Sequence, residues 1–373
     1  MPDPVIENTC SGCGSTHLRE TYFPYPRYSQ LNYDVVRRGG TLTICRGCGL
    51  IANKLEASAR EKLRSFFLSR DYISSHQTEQ LYFSENFSKP RTRAAIQADI
   101  IREAQLIEPS RILDIGCFNS DLLAELSKVY HSAELHGFDV NEYVPWPDNP
   151  RYKFHCGSLE TIDGQFDLIT LSNSIPHEFR IKWLFEKISN LLTPGGLIFI
   201  QVQDCNINPY NLLYDDQHYY FTESNIAGLL QRNGYHAEFV RTPTFRRMIT
   251  VFARKGRTPD LNAVETELLD LALHYFIRVE KELSKITGPV GVVGTTVNAA
   301  LVRDLVGANI SHFVDENINS AHAGRTNMTF LGLPMLHPRD LETSDISLLP
   351  YGNSASEIRK RFETMYRGTF VCL

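Results

Sequence analysis

Four cysteines occur in two pairs with the same internal spacing. Cys10 and Cys13 form the first Cys-x-x-Cys pair, and Cys45 and Cys48 form the second. Two such pairs can present four thiolates tetrahedrally to one zinc ion, with each sulfur about 2.3 Å from the metal. A glycine follows the second cysteine of each pair, which permits the tight or left-handed backbone that such loops use. Because all four thiolates would bind metal, we predict a closed, structural zinc site. Surface disulfides and a redox Cys-x-x-Cys pair are the alternatives.

The segment that carries these cysteines has little apolar core of its own. We expect residues 1–75 to form a small zinc-binding lobe whose folding energy comes partly from the metal. The remaining cysteines are scattered and are expected to be ordinary thiols: Cys117, Cys156, Cys205 and Cys372.

Composition limits the class of protein. The chain has 373 residues, enough for two or three domains, and its 42% hydrophobic and 22% charged residues are typical of a globular protein. A net charge of −5 gives no electrostatic reason to expect nucleic acid or an anionic membrane as partner. Apolar runs are too short to span a bilayer, and the first residues lack the pattern of a signal peptide. We therefore expect a cytoplasmic location.

The middle of the chain alternates between strand-like and helix-like patterns. The apolar run RILDIGC, from Arg111, is typical of a buried parallel strand, and DLLAELSKVY then has helical periodicity. AELHGFDV, FDLITLSNS and GGLIFIQVQ are the next predicted strands, the last after the turn LLTPGG. This alternation predicts an open α/β sheet, with ligands at the carboxyl ends of its strands.

Two features of this sheet concern the type of ligand. A dinucleotide site would need G-x-G-x-x-G after the first strand, and GCFNSD keeps only the first glycine. Asp139 closes the second strand, where an acidic residue suits the two hydroxyls of a ribose. The ligand is therefore expected to contain a ribose, in a nucleotide-binding domain without the dinucleotide motif.

The D-I-G-C segment and the later LLTPGGLIFI resemble class I S-adenosylmethionine-dependent methyltransferases. The resemblance implies a Rossmann-like sheet with S-adenosylmethionine at the carboxyl ends of its strands. Another kind of nucleotide-binding α/β domain is the alternative. The residues expected to contact the cofactor are Asp114, Gly116, Cys117, Phe118, Asn119, Asp139, Val140, Ser158, Leu159, Ser172 and Asn173.

Taken as a whole, the chain resembles the bacterial sugar C-methyltransferases, which act on nucleotide-activated deoxyketosugars. Their first-strand motif I-G-x-N-D-G-x-x-L corresponds to IGCFNSDLL, which keeps Ile115, Gly116 and Leu123 and departs at residues 118–120. Their N-V-x-A-H segment corresponds to NSIPH, which places Asn173 and His177 on the family's asparagine and histidine. The resemblance covers nearly the whole chain and implies a zinc-binding lobe, a methyltransferase domain and a C-terminal Rossmann-like lobe.

This chain departs further from the family in the motifs of the acceptor site than in those of the cofactor site. The family carries Tyr-His-Glu-His-x-x-Tyr-Phe where this chain has YDDQHYYF. The match keeps Tyr214 and supplies an acid at Asp216, while His218 falls one place late. The family's G-G-S-x-R has no clear counterpart. By resemblance, Tyr214 and Asp216 are expected to position the acceptor, and His218 is a second candidate for a base.

Methylation at carbon requires a base, because a proton must leave from beside a carbonyl group. His177 follows the fourth predicted strand and has a side chain suited to this task. A packing or helix-capping role before EFRIKWLFEKI is the alternative for His177.

The C-terminal part predicts a second βαβ unit. The segment from Gly288 runs through a strand, a glycine-rich turn, a helix and a strand that ends at Asp315. Gly291 and Gly294 would let backbone amides approach a phosphate, unless this lobe serves only for packing. The helical pattern from Asn262 to Ile286 predicts a linker helix with a solvated charged face. The predicted domains are thus 1–75, 76–257 and 258–373.

These observations predict an α/β methyltransferase that uses S-adenosylmethionine on a small polar acceptor, with a nucleotide-activated sugar as the expected acceptor. The expected reaction is C-methylation of a ketosugar with His177 as base. An O- or N-methyltransferase on another small acceptor and a non-catalytic protein that binds the cofactor or a nucleotide are the alternatives.

Overall fold

A computed structural model describes residues 9–30, 32–75, 81–82, 87–256, 265–319 and 328–373. The chain divides into two compact units, each drawn from separate stretches of sequence. The first comprises Met1–Glu20, Leu42–Gln203 and Gln217–Thr266, and the second comprises Thr21–Thr41, Asp204–Asp216 and Glu267–Leu373. The predicted domain boundaries at 75/76 and 257/258 border on stretches outside the described residues, and they remain predictions.

The helices of the described residues are α1 (Ala57–Phe67), α2 (Arg70–Ser75), α3 (Arg93–Ala104), α4 (Asp121–Val129), α5 (Ile181–Leu191), α6 (Glu223–Arg232), α7 (Leu268–Leu283), α8 (Val297–Val306) and α9 (Ala355–Met365). The first strands are β1 (Leu18–Tyr28), β2 (Val35–Cys45), β3 (Ile51–Asn53), β4 (Leu81–Tyr82), β5 (Arg91–Thr92), β6 (Arg111–Ile115), β7 (Glu134–Asp139), β8 (Tyr152–Cys156), β9 (Phe166–Ser172) and β10 (Leu192–Gln203). The later strands are β11 (Tyr219–Tyr220), β12 (Tyr235–Phe239), β13 (Met248–Lys255), β14 (Val290–Val293), β15 (Ile310–Val314), β16 (Thr329–Phe330), β17 (Leu333–Leu336), β18 (Ile346–Leu349) and β19 (Thr369–Cys372).

The first unit is built on a seven-stranded sheet in the order β12-β13-β10-β9-β6-β7-β8. Strands β6 to β10 pair in parallel, and β13 is antiparallel to both of its neighbours. The predicted α/β sheet is confirmed. Strand β10 begins earlier than expected. It includes residues 192–196 of the predicted turn LLTPGG, and its pairing with β9 shifts register between Leu192 and Leu197.

Both faces of this sheet are covered, which explains why its strands are continuous apolar runs. Helix α4 buries Leu122, Leu123 and Leu126 in the core on the side of α3. Helix α5 buries Leu184 and Phe185 in the other core. The two cores hold the sheet between layers of helices. Because β6, β7, β8 and β9 are parallel, the loops at their carboxyl ends lie along one edge of the sheet.

A smaller sheet has the order β1-β2-β3-β11, and its strands β1 and β2 connect the first cysteine pair with the second. Strand β3 pairs antiparallel with both β2 and β11. The second cysteine pair begins at the last residue of β2, Cys45.

The second unit contains a sheet in the order β16-β17-β15-β14-β18-β19, parallel except for the β16–β17 pair. The predicted second βαβ unit, β14-α8-β15, is confirmed. Helix α7 buries one apolar face, which includes Phe276 and Val279. It is shorter than the predicted linker helix, because residues 265–267 and 284–286 are not helical. The start of that prediction, residues 262–264, lies outside the described residues. No helix in the described part of the chain has the length and apolar character needed to cross a membrane.

Candidate functional site

The four predicted metal ligands lie together in the first unit. The sulfur atoms of Cys10, Cys13, Cys45 and Cys48 all lie within 4.8 Å of one another. The Sγ atoms of Cys10 and Cys48 are 3.6 Å apart, as are those of Cys13 and Cys45. Four sulfurs around zinc at about 2.3 Å would be about 3.8 Å apart in a regular tetrahedron. The cluster therefore has the ligand set and the spacing of a four-cysteine metal site.

The backbone of the two cysteine loops explains the glycine that follows each pair. Gly14 and Gly49 have φ of 76° and 73°, in the left-handed region that glycine enters without a steric penalty. In each loop the N–H of this glycine donates to the carbonyl of the first cysteine, at 2.8 Å and 2.7 Å. The N–H groups of Gly12 and Gly47 point at the Sγ atoms of Cys10 and Cys45, at 3.4 Å and 3.3 Å. Such amides favour thiolates, the form that binds metal.

The loop after β6 is held tightly against the end of β7. The N–H groups of Gly116 and Cys117 both donate to the carbonyl of Phe138, at 2.8 Å and 3.0 Å. Gly116 has φ of 76°, and a Cβ added there would lie 2.6 Å from Ser174 Cβ. Glycine at this position therefore lets the loop after β6 approach the residues that follow β9.

Asp114 is buried in the sheet below this loop. Its Oδ1 accepts a hydrogen bond of 2.6 Å from Thr170 Oγ1 on the neighbouring strand β9. Burial raises the pKa of Asp114 to about 7, an effect that the Thr170 hydrogen bond opposes. An added positive charge nearby would favour the ionised form. Asp114 is therefore suited to lie close to a cationic ligand.

Asp139 ends β7 and accepts backbone hydrogen bonds on both carboxylate oxygens. The Phe118 N–H donates to Oδ2 at 3.1 Å, and the Asn141 N–H donates to Oδ1 at 2.9 Å. Burial raises the pKa of Asp139, and these N–H groups oppose the rise. Each oxygen of a carboxylate can accept two hydrogen bonds, so both can still accept from a ligand hydroxyl. The arrangement fits the predicted contact with a ribose.

The other predicted cofactor residues follow the neighbouring strands. Ser158 and Leu159 come after β8, where Ser158 Oγ accepts from the Glu160 N–H at 3.3 Å. Val140 follows Asp139 and is half-exposed. Asn119 lies in the loop after β6, and Ser172 ends β9.

The residues after β9 present buried polar atoms that have no hydrogen-bond partner among the described residues: Asn173 Oδ1 and Ser174 Oγ. Asn173 also has φ of 56°, an uncommon conformation for a residue with a side chain. Buried polar atoms without a partner are destabilising unless a ligand or water satisfies them. These two atoms therefore mark a place where a polar ligand would bind.

His177 lies in the short 3₁₀ helix Ile175–His177 that follows these residues. Its ring contacts the ring of Phe67 from α1 edge to face, with centroids 5.0 Å apart. His177 is partly exposed.

His218 lies close by in the same unit but in a more enclosed environment. Its N–H donates to the Pro176 carbonyl at 2.7 Å, and its ring packs on Phe179 with centroids 3.7 Å apart. Its Nε2 is buried without a partner among the described residues. Burial lowers the pKa of His218 to about 3, with a further contribution from His177. The structure thus brings both candidate bases to the same region, and His218 is neutral at pH 7.

Tyr214 and Asp216 belong to the second unit, where both are buried. The Asp216 Oδ2 accepts from the Gln30 N–H at 2.9 Å, and burial raises the pKa of Asp216 to about 7. The Tyr214 carbonyl accepts from Arg27 at 2.8 Å. These contacts fix the segment within its own unit.

Asp215, between these two residues, is bound by arginines. The Arg37 guanidinium donates to it from Nε at 2.9 Å and from the neighbouring nitrogen at 2.7 Å. The buried Arg27 lies 3.6 Å from the same carboxylate. Paired hydrogen bonds from one guanidinium fix the orientation of a carboxylate. Asp215 is therefore held by arginines within its own unit.

In the C-terminal lobe, the predicted phosphate-binding amides are used within the sheet. The Gly294 N–H donates to the Val314 carbonyl at 2.8 Å. Gly291 lies in β14, where a Cβ would come within 2.4 Å of His312 Nε2. In this structure the glycines therefore serve packing, and phosphate binding by this lobe remains a prediction.

Sequence reasoning missed several residues of the site. Thr170 is a polar residue inside an apolar strand, which is a signal that could have indicated its partner Asp114. Ser174 follows a predicted residue directly. Phe67 and Asn141 gave no such signal, because their contacts join distant segments.

Comparison with known proteins supports the α/β methyltransferase fold predicted for the middle of the chain. Residues 89–238 match the family model described as a methyltransferase domain. No curated protein matches the chain.

Three solved structures of low sequence identity are similar in part. A protein from Nostoc punctiforme, provisionally assigned as an O-methyltransferase, shares 20% identity over 43% of this chain and 55% of its own, with a TM-score of 0.37. This chain thus spans about half the length of that protein. An S-adenosylmethionine-dependent methyltransferase from Clostridium acetobutylicum shares 17% identity over 43% of this chain and 91% of its own, with a TM-score of 0.36. The plantazolicin methyltransferase BpumL, solved with a monoazolic substrate analogue and S-adenosylhomocysteine, shares 20% identity over 54% of this chain and 96% of its own, with a TM-score of 0.43.

The family match covers β6 to β10 and the loops at their carboxyl ends, which are the elements that carry the candidate cofactor residues. The match therefore assigns residues 89–238 to a methyltransferase domain, which is built on the predicted α/β sheet.

Proposed function

We propose that the protein methylates a small polar acceptor, a nucleotide-activated sugar, at a carbon beside a carbonyl group. The observation that carries this proposal is the group of polar side chains along one edge of the parallel sheet. In this group, Asp114 of β6 and Asp139 at the end of β7 are the proposed cofactor residues. His177 follows β9, the fourth strand of the domain. We also propose that the four-cysteine cluster holds structural zinc and that the protein is cytoplasmic.

The cofactor half of the site fits S-adenosylmethionine by the chemistry of its donors and acceptors. Asp139 can accept from both ribose hydroxyls, and the buried Asp114 carboxylate favours a cationic neighbour. When bound, the cofactor supplies an activated methyl group on a positively charged sulfur.

The acceptor half is polar. Ser174 Oγ, His218 Nε2 and Oδ1 of Asn173, a residue also expected to contact the cofactor, are buried and have no partner among the described residues. An apolar acceptor would leave all three atoms unsatisfied, at about 1–3 kcal/mol each. Hydroxyl or carbonyl groups of a sugar would satisfy them. This supports an acceptor with several hydrogen-bonding groups.

His177 is the proposed base. A carbon acceptor beside a carbonyl must lose a proton, and a neutral imidazole can accept it. The edge-to-face contact with Phe67 fixes the ring of His177 in orientation. His218 is a weaker base, because burial lowers its pKa to about 3, and it is better suited to hold an acceptor group by a hydrogen bond.

One observation favours a second candidate, an O- or N-methyltransferase on a different small acceptor. The family's His-Glu-His triplet is Asp215, Asp216 and Gln217 in this chain, and Asp215 is engaged by Arg37. The side chains expected to serve a ketosugar are therefore partly replaced. His177 would then take a proton from a hydroxyl group or an amine.

The first test is calorimetric titration of S-adenosylmethionine and S-adenosylhomocysteine into the purified full-length chain. A screen for S-adenosylhomocysteine release across nucleotide-activated ketosugars, their alcohols and amino sugars then assigns the acceptor. Release with ketosugars alone supports C-methylation, and release with alcohols or amino sugars supports the second candidate. Cofactor binding without release from any acceptor class would favour a non-catalytic protein. Absence of cofactor binding would overturn the proposal.

A further inference from the structure

The segment of α1 and α2, residues 57–75, lies over the candidate cofactor site without a core of its own. No residue of α1 is buried. The aromatic side chains of the two helices contact one another. The ring centroid of Tyr72 in α2 lies 5.6 Å from that of Phe66 and 5.2 Å from that of Phe67, both in α1. Ile73 of α2 is buried, so specific contacts must add to this small amount of apolar burial to hold the segment in place.

Asn141 supplies the most direct of these contacts. Its side chain is fully buried, and its Nδ2 donates to the carbonyls of Phe67 at 2.7 Å and Ser69 at 2.8 Å. Phe67 is the last residue of α1, where helical carbonyls lack partners within the helix, and Ser69 lies in the short link to α2. The backbone N–H of Asn141 donates to the Asp139 carboxylate. One residue thus joins the proposed ribose ligand to the α1–α2 segment.

Two further contacts connect the α1–α2 segment with the loops after β6 and β7. The Arg70 guanidinium at the start of α2 lies over the ring of Tyr143, 4.4 Å from its centroid. The ring of Tyr72 contacts that of Phe118, with centroids 5.8 Å apart, and the Phe118 N–H donates to the Asp139 carboxylate. Both carboxylate oxygens of Asp139 are therefore connected to the α1–α2 segment by short chains of contacts.

The segment also reaches the proposed base. Phe67, whose carbonyl is held by Asn141, places its ring against the ring of His177. A displacement of α1 would therefore move the group that fixes the orientation of His177.

We propose that Asn141 is a positioning residue that couples cofactor binding to the α1–α2 segment and, through Phe67, to the orientation of His177. This inference rests on the proposed function, because it requires a cofactor whose ribose binds Asp139. Ribose hydroxyls that donate to Asp139 fix its carboxylate, together with the N–H groups of Asn141 and Phe118 that point at it. The cofactor would thereby order the segment before the acceptor binds.

The test uses hydrogen exchange of the full-length chain with and without S-adenosylhomocysteine. In the wild type, the ligand should slow exchange of the amides in residues 57–75 by about fivefold or more, as expected for a net gain of one hydrogen bond. Asn141→Ala should exchange faster in this segment and lose the ligand-dependent slowing while still binding the ligand. Asn149→Ala, in an exposed loop after β7, is the matched control and should behave as the wild type.

A second measurement covers the case in which Asn141→Ala does not fold. The Cε1–H resonance of His177, assigned with His177→Asn, should shift when S-adenosylhomocysteine binds to the wild type. Phe67→Leu should abolish most of this shift, and Phe66→Leu, on the same helix but without a ring contact to His177, should keep it. A purely structural role for Phe67 would leave the response to ligand intact.

The outcomes separate this inference from the function on which it rests. Failure of the wild type to bind S-adenosylhomocysteine would overturn both. Binding without slower exchange in residues 57–75, or unchanged slowing in Asn141→Ala, would overturn the coupling alone. A His177 resonance that responds equally in Phe67→Leu and Phe66→Leu would also overturn it.

Discussion

The backbone N–H of Phe118 donates a 3.1 Å hydrogen bond to the carboxylate of Asp139, which joins the loop after β6 to the end of β7. Phe118 has φ of 44°, in the left-handed region, so the loop turns back towards this acid. The contact defines one corner of the proposed cofactor site, and it gives the Asp139 carboxylate a fixed orientation.

Removal of this carboxylate should weaken cofactor binding. Asp139→Ala takes away the acceptor of both ribose hydroxyls, and each charged hydrogen bond contributes on the order of 1.5–3 kcal/mol. Calorimetry with S-adenosylhomocysteine should therefore show at least about a tenfold rise in Kd. Asp148→Ala, at an exposed position in the same unit, should leave Kd unchanged. Equal affinity in Asp139→Ala and the wild type would mean that the ribose binds elsewhere.

The sheet that holds Asp139 was predictable because parallel strands covered on both faces are uninterrupted apolar runs. The segments at Arg111–Ile115 and Phe166–Ser172 stand out for this reason. The start of β10 was less predictable, since its Thr-Pro-Gly-Gly sequence indicates a turn, whereas the chain there already pairs irregularly with β9. Pairing with a neighbour is a tertiary effect that local turn preference does not contain.

The cysteine cluster should bind one zinc ion per chain. Metal analysis of the purified wild type should find about one equivalent, and Cys48→Ser should lose it, because three thiolates hold zinc far less well than four. Loss of the metal should also lower the free energy of unfolding by several kcal/mol, since binding energy of a structural metal is folding energy. The midpoint of thermal unfolding measures this effect.

Cys156→Ser is the matched control for the zinc prediction, because Cys156 is exposed and lies outside the cluster. It should retain the metal and the stability of the wild type. Less than half an equivalent of zinc in the wild type, with all four cluster thiols reactive in the native state, would contradict the prediction.

Asp114 should give the protein a pH-dependent stability. Burial raises its pKa from 3.8 to about 7, so the native state binds a proton more tightly than the unfolded state between these values. Stability should therefore fall as pH rises from about 4 to 7 and level off above that. Asp114→Asn should remove the contribution of Asp114 to this pH-dependent fall in the free energy of unfolding, on the order of 4 kcal/mol. Urea unfolding at several pH values measures it.

The comparison must separate Asp114 from Asp216, whose burial raises its pKa to about 7 as well. Asp216→Asn should remove a fall of similar size in the free energy of unfolding. If the difference in stability between Asp114→Asn and the wild type is the same at pH 4 and pH 8, the proton uptake by Asp114 is excluded.

The acceptor side of the site shows what sequence could not supply. Resemblance placed His177 and His218 as candidate bases, but their environments depend on packing. The Phe179 ring packs on the ring of His218, and the Phe67 ring contacts His177 from a helix far away in sequence. Similarly, Asp215 is paired with Arg37, a residue that no local pattern connects with it.

His177→Asn tests the proposed base directly. The asparagine keeps a polar group of similar size but cannot accept a proton at neutral pH, so turnover should fall by roughly 10²–10⁴-fold once an acceptor is identified. Cofactor affinity and zinc content should be unchanged, because neither site contains His177. The acidic limb of the dependence of kcat on pH should disappear with the imidazole. His131→Asn, a substitution of the same type at an exposed position, should retain full turnover.

The parallel variant His218→Asn distinguishes the two histidines. Because burial keeps His218 neutral with a pKa of about 3, it should act on the acceptor by hydrogen bonding. Its loss should raise KM for the acceptor more than it lowers kcat, and the acidic limb should remain. If His177→Asn keeps near-normal turnover while His218→Asn abolishes it, the assignments must be exchanged. If both variants keep turnover, the acceptor needs no base, and an amine becomes the better substrate than a carbon beside a carbonyl.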